Sequence, residues 1–150
     1  MAIQRDINLL QEPFKTKSKV FLAIARKKYP NIYVFETLRS YQRQLLLFAK
    51  GMWITRTMKS KHREWKAMDI VFLYGWQPKR QWDYNFIHYI AEMCWMRWLK
   101  WESCHIEDDG RSIMKLMADN SWRWGWSDTT TQYRLKEVNW EFRKYLPATQ

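Results

Sequence analysis

Glycine is scarce in this 150-residue chain: there are 4, where average usage predicts about ten. Cysteine is scarcer still. Cys94 and Cys104 are the only two, too few for a disulfide framework and without paired zinc-finger spacing, so buried thiols are expected. No uninterrupted apolar run is long enough to cross a membrane; the longest, around Val20 to Ile24 and Ile70 to Tyr74, are core-sized. The N-terminus, MAIQRDINLLQEPF, lacks the basic start, apolar stretch and small-residue cleavage site of a secretory signal. The expected location is the cytoplasm as made, with any extracellular role depending on release by something else.

Hydrophobic residues make up 47% of the chain, enough to pack a globule rather than stay disordered. The formal charge of +11 favours polyanions: nucleic acid, anionic lipid or a phosphate- and carboxylate-rich cell wall. Basic residues are spread along the chain, so a solvated basic surface is the ordinary reading of any one of them.

Tryptophan is abundant, at 11, and several tryptophans stand where glycine is the natural choice. Trp95 follows a helix-like stretch ending Glu92-Met93-Cys94, where a left-handed residue commonly terminates the helix. Trp76 lies in a turn setting between Gly75 and Gln77-Pro78. A stop codon that certain bacteria read as glycine, translated here as Trp, would produce this pattern; an unusually aromatic protein is the other reading. UGG codons at Trp65, Trp76 and Trp95 would exclude recoding.

No internal repeat, low-complexity stretch or linker is visible, so a single domain over 1–150 is expected, with its motif-bearing core at about 31–110. Apolar positions at Phe14, Val20, Phe21, Ile24 and Ala25 predict an amphipathic helix stopped by Tyr29-Pro30-Asn31. A short strand is expected over Asn31 to Thr37. Ser40 is positioned to cap a helix running through Gln44, Leu47 and Phe48 to Gly51. After a polar loop from Met52 to Lys61, Ala67 to Tyr74 reads as a buried central strand carrying one acid, Asp69. Gly75 to Pro78 is a turn, Asp83 to Met93 a helix and Trp101 to Glu107 a strand. Gly110 to Asn120 and Thr129 to Tyr145 read as helices, the last capped by Asp128. Helices with a few interspersed strands indicate an α+β fold.

Two short segments carry chemistry. In Ser60-Lys61-His62-Arg63-Glu64-Trp65-Lys66-Ala67-Met68-Asp69, a histidine precedes a buried strand and an acid sits within it. A carboxylate in an apolar strand needs a compensating cation, and imidazole nitrogen and carboxylate oxygen are both good zinc ligands. In Trp101-Glu102-Ser103-Cys104-His105, His105 is placed to be a third ligand, leaving one tetrahedral position for water. Glu102 would then hold that water and take its proton. Each segment alone also fits an ordinary reading: a surface histidine with a salt-bridged acid, and a Glu-x-x-His surface pair.

The two segments in this order resemble the zinc peptidases that include D-alanyl-D-alanine carboxypeptidases, D-Ala-D-Ala dipeptidases and the L-alanyl-D-glutamate endopeptidases of phage lysis enzymes. Their signature is Ser-x-His-x-x-Gly-x-Ala-x-Asp, followed downstream by Glu or Asp, two residues and His. Ser60, His62, Ala67 and Asp69 match the first part; Glu102 and His105 match the second. The segment Glu36-Thr37-Leu38-Arg39-Ser40, followed by a helix containing Gln44, is similar to the family's arginine-bearing segment, so the resemblance spans roughly Phe35 to Glu107.

The resemblance implies a small antiparallel sheet packed with helices and a single zinc site in a cleft. His62, Asp69 and His105 would hold one Zn2+. Glu102 would be general base and then general acid, and Arg39 would stabilise the oxyanion. Ser60 would anchor substrate or orient the first ligand loop, and Gln44 would contact substrate. The implied activity is hydrolysis of peptidoglycan stem peptides, of D-Ala-D-Ala carboxypeptidase or L-Ala-D-Glu endopeptidase type. The implied partner is an anionic cell wall, with no nucleic acid, a monomeric state and a possible phage origin. The departure is Trp65, where the family has glycine; a bulky residue there would displace His62 or block the cleft. The competing class is a catalytically silent basic, aromatic module that binds wall polymer or nucleic acid.

Three features stand outside this scheme. His88, flanked by Ile87 and Ile90, reads as a structural histidine. Glu107, Asp108 and Asp109 form an acidic cluster that could bind a cation, with a loop and helix start before Gly110 the simpler home. Trp122, Trp124 and Trp126 alternate as in a strand or a wall-binding patch, with core packing equally compatible.

Overall fold

The computed structural model describes residues 3–38, 41–50, 61–72, 81–100 and 102–147. The first amphipathic pattern forms helix α1 (Phe14–Lys28), which buries Phe14, Val20, Phe21, Ile24 and Ala25 completely. Arg26, Lys27 and Lys28 occupy its last turn, where cations suit the negative end of the helix. Strand β1 (Ile32–Glu36) alternates, with Ile32, Val34 and Glu36 inward and Tyr33 exposed. Helix α2 (Tyr41–Ala49) follows. A 3-10 turn at Lys61–Glu64 then feeds strand β2 (Ala67–Phe72), buried at five of its six positions as a central strand must be.

Helix α3 (Gln81–Met93) precedes strands β3 (Met96–Leu99) and β4 (Glu102–Asp108). Helix α4 (Ile113–Arg123) starts at Ser112, whose hydroxyl accepts from the Lys115 amide at 3.3 Å. Helix α5 (Thr129–Arg143) is capped by Asp128, which accepts from the Thr131 amide at 2.9 Å. Every strand pairing is antiparallel, in the order β1-β2-β4-β3. The fold is therefore α+β, as the pattern of elements indicated. Its core joins Phe21 and Ile24 of α1 to Ile70, Ile106 and Ile87, with Leu135 and Phe142 of α5. Among the described residues, no helix is long and apolar enough to cross a membrane.

The elements expected around Phe14, Asn31, Ala67, Asp83, Trp101 and Thr129 all form. Strand β3 was not expected: it is four residues long and follows a helix with only Cys94 and Trp95 between, too short for alternation to register. The tryptophans at 122, 124 and 126 are not a strand, since Trp122 lies in the last turn of α4 and the others in the turn beyond it. Trp122 and Trp126 are exposed and stacked, whereas Trp124 packs against the core. The expected cap at Ser40, stop at Gly51 and turn at Gly75 to Pro78 lie outside the described residues. Cys94 is buried, Cys104 is half-buried, and no disulfide joins them.

Trp65 and Trp95 both have left-handed backbones, with φ of 60° and 53°. At Trp65 the 3-10 turn closes like a helix end: the Lys66 amide donates to the Lys61 carbonyl at 3.1 Å and the Trp65 amide to the His62 carbonyl at 3.4 Å. That pair of bonds is the Schellman pattern, whose left-handed position belongs to glycine in most proteins. Trp95 ends α3 in the same conformation, its amide bonded to the Glu92 carbonyl at 3.0 Å. Trp76, the third position of this kind, lies outside the described residues.

Candidate metal centre

Three segments distant in sequence converge beside the sheet. Register places Asp69 of β2 directly opposite His105 of β4, so the two side chains share a face of the central strands. The turn before β2 supplies His62, because the left-handed residue at 65 folds the chain back over the start of the strand. All three side chains are buried, His62 fully.

Their donor atoms nearly touch. His62 Nε2 lies 3.2 Å from Asp69 Oδ1 and 3.2 Å from His105 Nδ1, and His105 Nδ1 lies 3.5 Å from Asp69 Oδ1. The far side of each imidazole is committed. His62 Nδ1 faces the Thr37 carbonyl at 2.8 Å, and His105 Nε2 faces Glu107 Oε1 at 3.0 Å. A carbonyl and an ionised carboxylate only accept hydrogen bonds. Both far nitrogens therefore carry a proton, and His62 Nε2 and His105 Nδ1 face each other and Asp69. Three electron-pair donors this close require a cation among them.

Zinc fits that requirement. Ligands about 2.0–2.1 Å from a tetrahedral zinc stand about 3.3 Å from one another, matching the observed triangle of 3.2, 3.2 and 3.5 Å. Two imidazoles and a carboxylate also form a common catalytic zinc donor set, one that leaves a fourth position open.

The charges agree with this geometry. Burial opposes ionisation of Asp69, but the charge of His62 and hydrogen bonds from both histidines outweigh it and hold the carboxyl well below its ordinary range. Burial also disfavours the His105 cation, yet hydrogen bonds to Asp69 and Glu107 overcome it and raise its pKa to about 9. In the metal-free protein a proton thus occupies the place of the cation.

Glu102 opens β4 and is half-buried. Its carboxylate forms a second close group with Asp69 and the Cys104 sulfur, all within 4.8 Å of one another. Because Asp69 belongs to both groups, Glu102 borders the histidine cluster. The sequence-predicted set His62, Asp69, Glu102 and His105 is thus assembled in one place. Gln44 is buried on α2. Arg39 and Ser60 lie outside the described residues.

His88 behaves as a structural histidine. It donates to or accepts from nothing in the cluster; its Nε2 meets the Ser103 carbonyl at 2.9 Å and its ring stacks on Trp98 at 4.0 Å. Burial is the main cause of its lowered pKa.

Two participants were not anticipated. Thr37 acts through a backbone carbonyl, which no side-chain pattern reveals. Asp108 was expected in a loop and Glu107 at the loop's junction with the strand ending there, but both lie buried on β4. Glu107 had a legible signal: two residues after His105 in a strand, it faces the same side. Asp108 and Asp109 instead hold Lys17, fully buried on α1, at 2.7 and 3.2 Å.

The chain matches no family model, and no curated protein matches it. Among solved structures it is similar to the LdcB LD-carboxypeptidase, a structure described as revealing the molecular basis of peptidoglycan recognition. The TM-score is 0.55 at 19% identity, over 86% of this chain and 69% of that one. The likeness is one of fold. At this identity it extends to the α+β architecture and no further.

Proposed function

We propose that this chain is a zinc-dependent peptidase acting on peptidoglycan stem peptides. The observation that carries the reading is the triangle of donor atoms from His62, Asp69 and His105, drawn from three distant segments to within 3.5 Å of one another. The shared fold with a peptidoglycan carboxypeptidase supports the substrate class, as does a formal charge of +11 suited to an anionic wall.

Bound zinc would supply Lewis acidity, polarising the scissile carbonyl and acidifying water. Glu102, next to Asp69 at the edge of the cluster, takes the proton of the attacking water and delivers it to the leaving amine. By the resemblance, Arg39 would supply a positive charge to the oxyanion, and Ser60 and Gln44 would contact the peptide. The D-Ala-D-Ala and L-Ala-D-Glu bonds need the same chemistry, so selection between them falls to the shape of the cleft.

Purified peptidoglycan digested with and without chelator, followed by mass analysis of the released peptides, tests the activity. Chelator-sensitive release of stem-peptide fragments is expected, with near-stoichiometric zinc that is lost in His62→Ala and His105→Ala. Glu102→Ala should keep the zinc and lose cleavage by about 100-fold or more. A Glu102→Ala protein that still cleaves refutes the assigned base. A zinc-free wild-type protein that binds wall polymer without cutting it would favour the silent module, the reading to which the exposed Trp122–Trp126 stack also lends itself.

A further inference from the structure

We propose that Glu107, anchored by Arg97, is a positioning residue that fixes the ring and tautomer of His105 so that Nδ1 faces the metal. This rests on the zinc reading above. The Glu107 carboxylate divides its two oxygens: Oε1 lies 3.0 Å from His105 Nε2, and Oε2 lies 2.9 Å from Arg97 Nη2. Strand geometry makes the arrangement rigid. Glu107 and His105 are alternate residues of β4 and share a face. Arg97 is the direct cross-strand partner of Glu107 on β3. Both carboxylate oxygens are thus engaged, one by the imidazole and one by the guanidinium.

The chemical consequence concerns which nitrogen is free. An imidazole in solution populates both neutral tautomers. A negatively charged acceptor at Nε2 selects the Nε2–H form, leaving the Nδ1 lone pair for the cluster. It also increases the electron-donating power of Nδ1, as a carboxylate behind a ligating histidine does generally. Arg97 sets a positive charge against the second Glu107 oxygen, 2.9 Å away. At the corresponding nitrogen His62 meets the Thr37 carbonyl, whereas His105 meets a carboxylate.

The test reads metal affinity and tautomer, not turnover. Zinc affinity is measured by competition with a chromophoric chelator for the wild type, Glu107→Gln and Arg97→Gln. Nitrogen-15 chemical shifts of the histidines are recorded for the zinc-loaded wild type. The expected results are a loss of zinc affinity of about 10- to 100-fold in Glu107→Gln, a smaller loss in Arg97→Gln, and a protonated Nε2 on His105. Unchanged zinc affinity in a folded Glu107→Gln protein overturns the proposal. If that variant does not fold, the wild-type spectrum decides: a His105 protonated on Nδ1 overturns it equally. A wild type that binds no zinc refutes the metal reading itself, an outcome separate from zinc binding that is indifferent to Glu107.

Discussion

At the scale of single residues, His105 governs how the metal-free protein responds to pH. Its folded pKa of about 9 stands above the ordinary 6.5. Its contribution to stability is therefore complete below about pH 6.5 and is lost as pH rises through about 9. Asp69 acts in the opposite direction: its depressed pKa stabilises the fold above the ordinary carboxylate value of 3.8 and ceases to do so in strong acid. Metal-free protein should melt at a lower temperature at pH 9.5 than at pH 6, and zinc should abolish that difference by replacing the proton. Calorimetric scans with and without chelator check this, and a metal-free melting temperature that is flat across the interval would contradict it.

Trp65 is a second matter of one residue. A side chain in the left-handed region costs about 1–2 kcal/mol relative to glycine, and position 65 has a φ of 60°. Comparing Trp65→Gly with Trp65→Ala cancels the loss of the indole and isolates the backbone. Glycine should be the more stable by about 1–2 kcal/mol in denaturant unfolding, the reverse of the ordinary preference for alanine. The coding DNA supplies an independent check, with UGA expected at 65 and 95 if the residue is glycine in the natural protein. The side chains that converge, His62, Asp69 and His105, were legible in the sequence because imidazoles and carboxylates advertise their chemistry. The Thr37 carbonyl was not, because every residue has one.

Among the elements, α1 is fastened to the far end of β4 by a buried cation. Lys17 is fully buried, with its ammonium 2.7 Å from Asp108, 3.2 Å from Asp109 and 3.2 Å from the Trp95 carbonyl. Lys17→Met leaves Asp108 buried beside an apolar chain and should cost about 3–5 kcal/mol. Guanidinium unfolding measures it; a cost below about 1 kcal/mol would mean that water replaces the ammonium. Such a link cannot be read from local pattern, since a lysine in an amphipathic helix is expected on its wet face. Periodicity did reveal the long helices and the central strand β2, where burial imposes a repeat over many residues. It failed at β3, whose four residues are held in place by pairing with β4.

Across the whole molecule, the α+β class followed from the succession of helical and extended patterns, but the strand order β1-β2-β4-β3 did not. That order decides the site, because it makes β2 and β4 neighbours and brings Asp69 opposite His105. Sequence pattern specifies which residues form strands and leaves their lateral arrangement to tertiary packing.

The Thr37 carbonyl that orients His62 is itself secured from a distance. Both the Thr37 amide and its hydroxyl donate to the Gln4 carbonyl, at 2.8 and 3.1 Å. Gln4 thus acts as a brace for a histidine nearly sixty positions later. Trimming the first five residues should leave every ligand in the polypeptide and still weaken its hold on zinc, by about 10-fold on the scale of outer-sphere contacts. Chelator competition on the shortened protein measures the loss, and undiminished affinity would show that the brace is dispensable. A fusion partner attached at that end would press on the same brace.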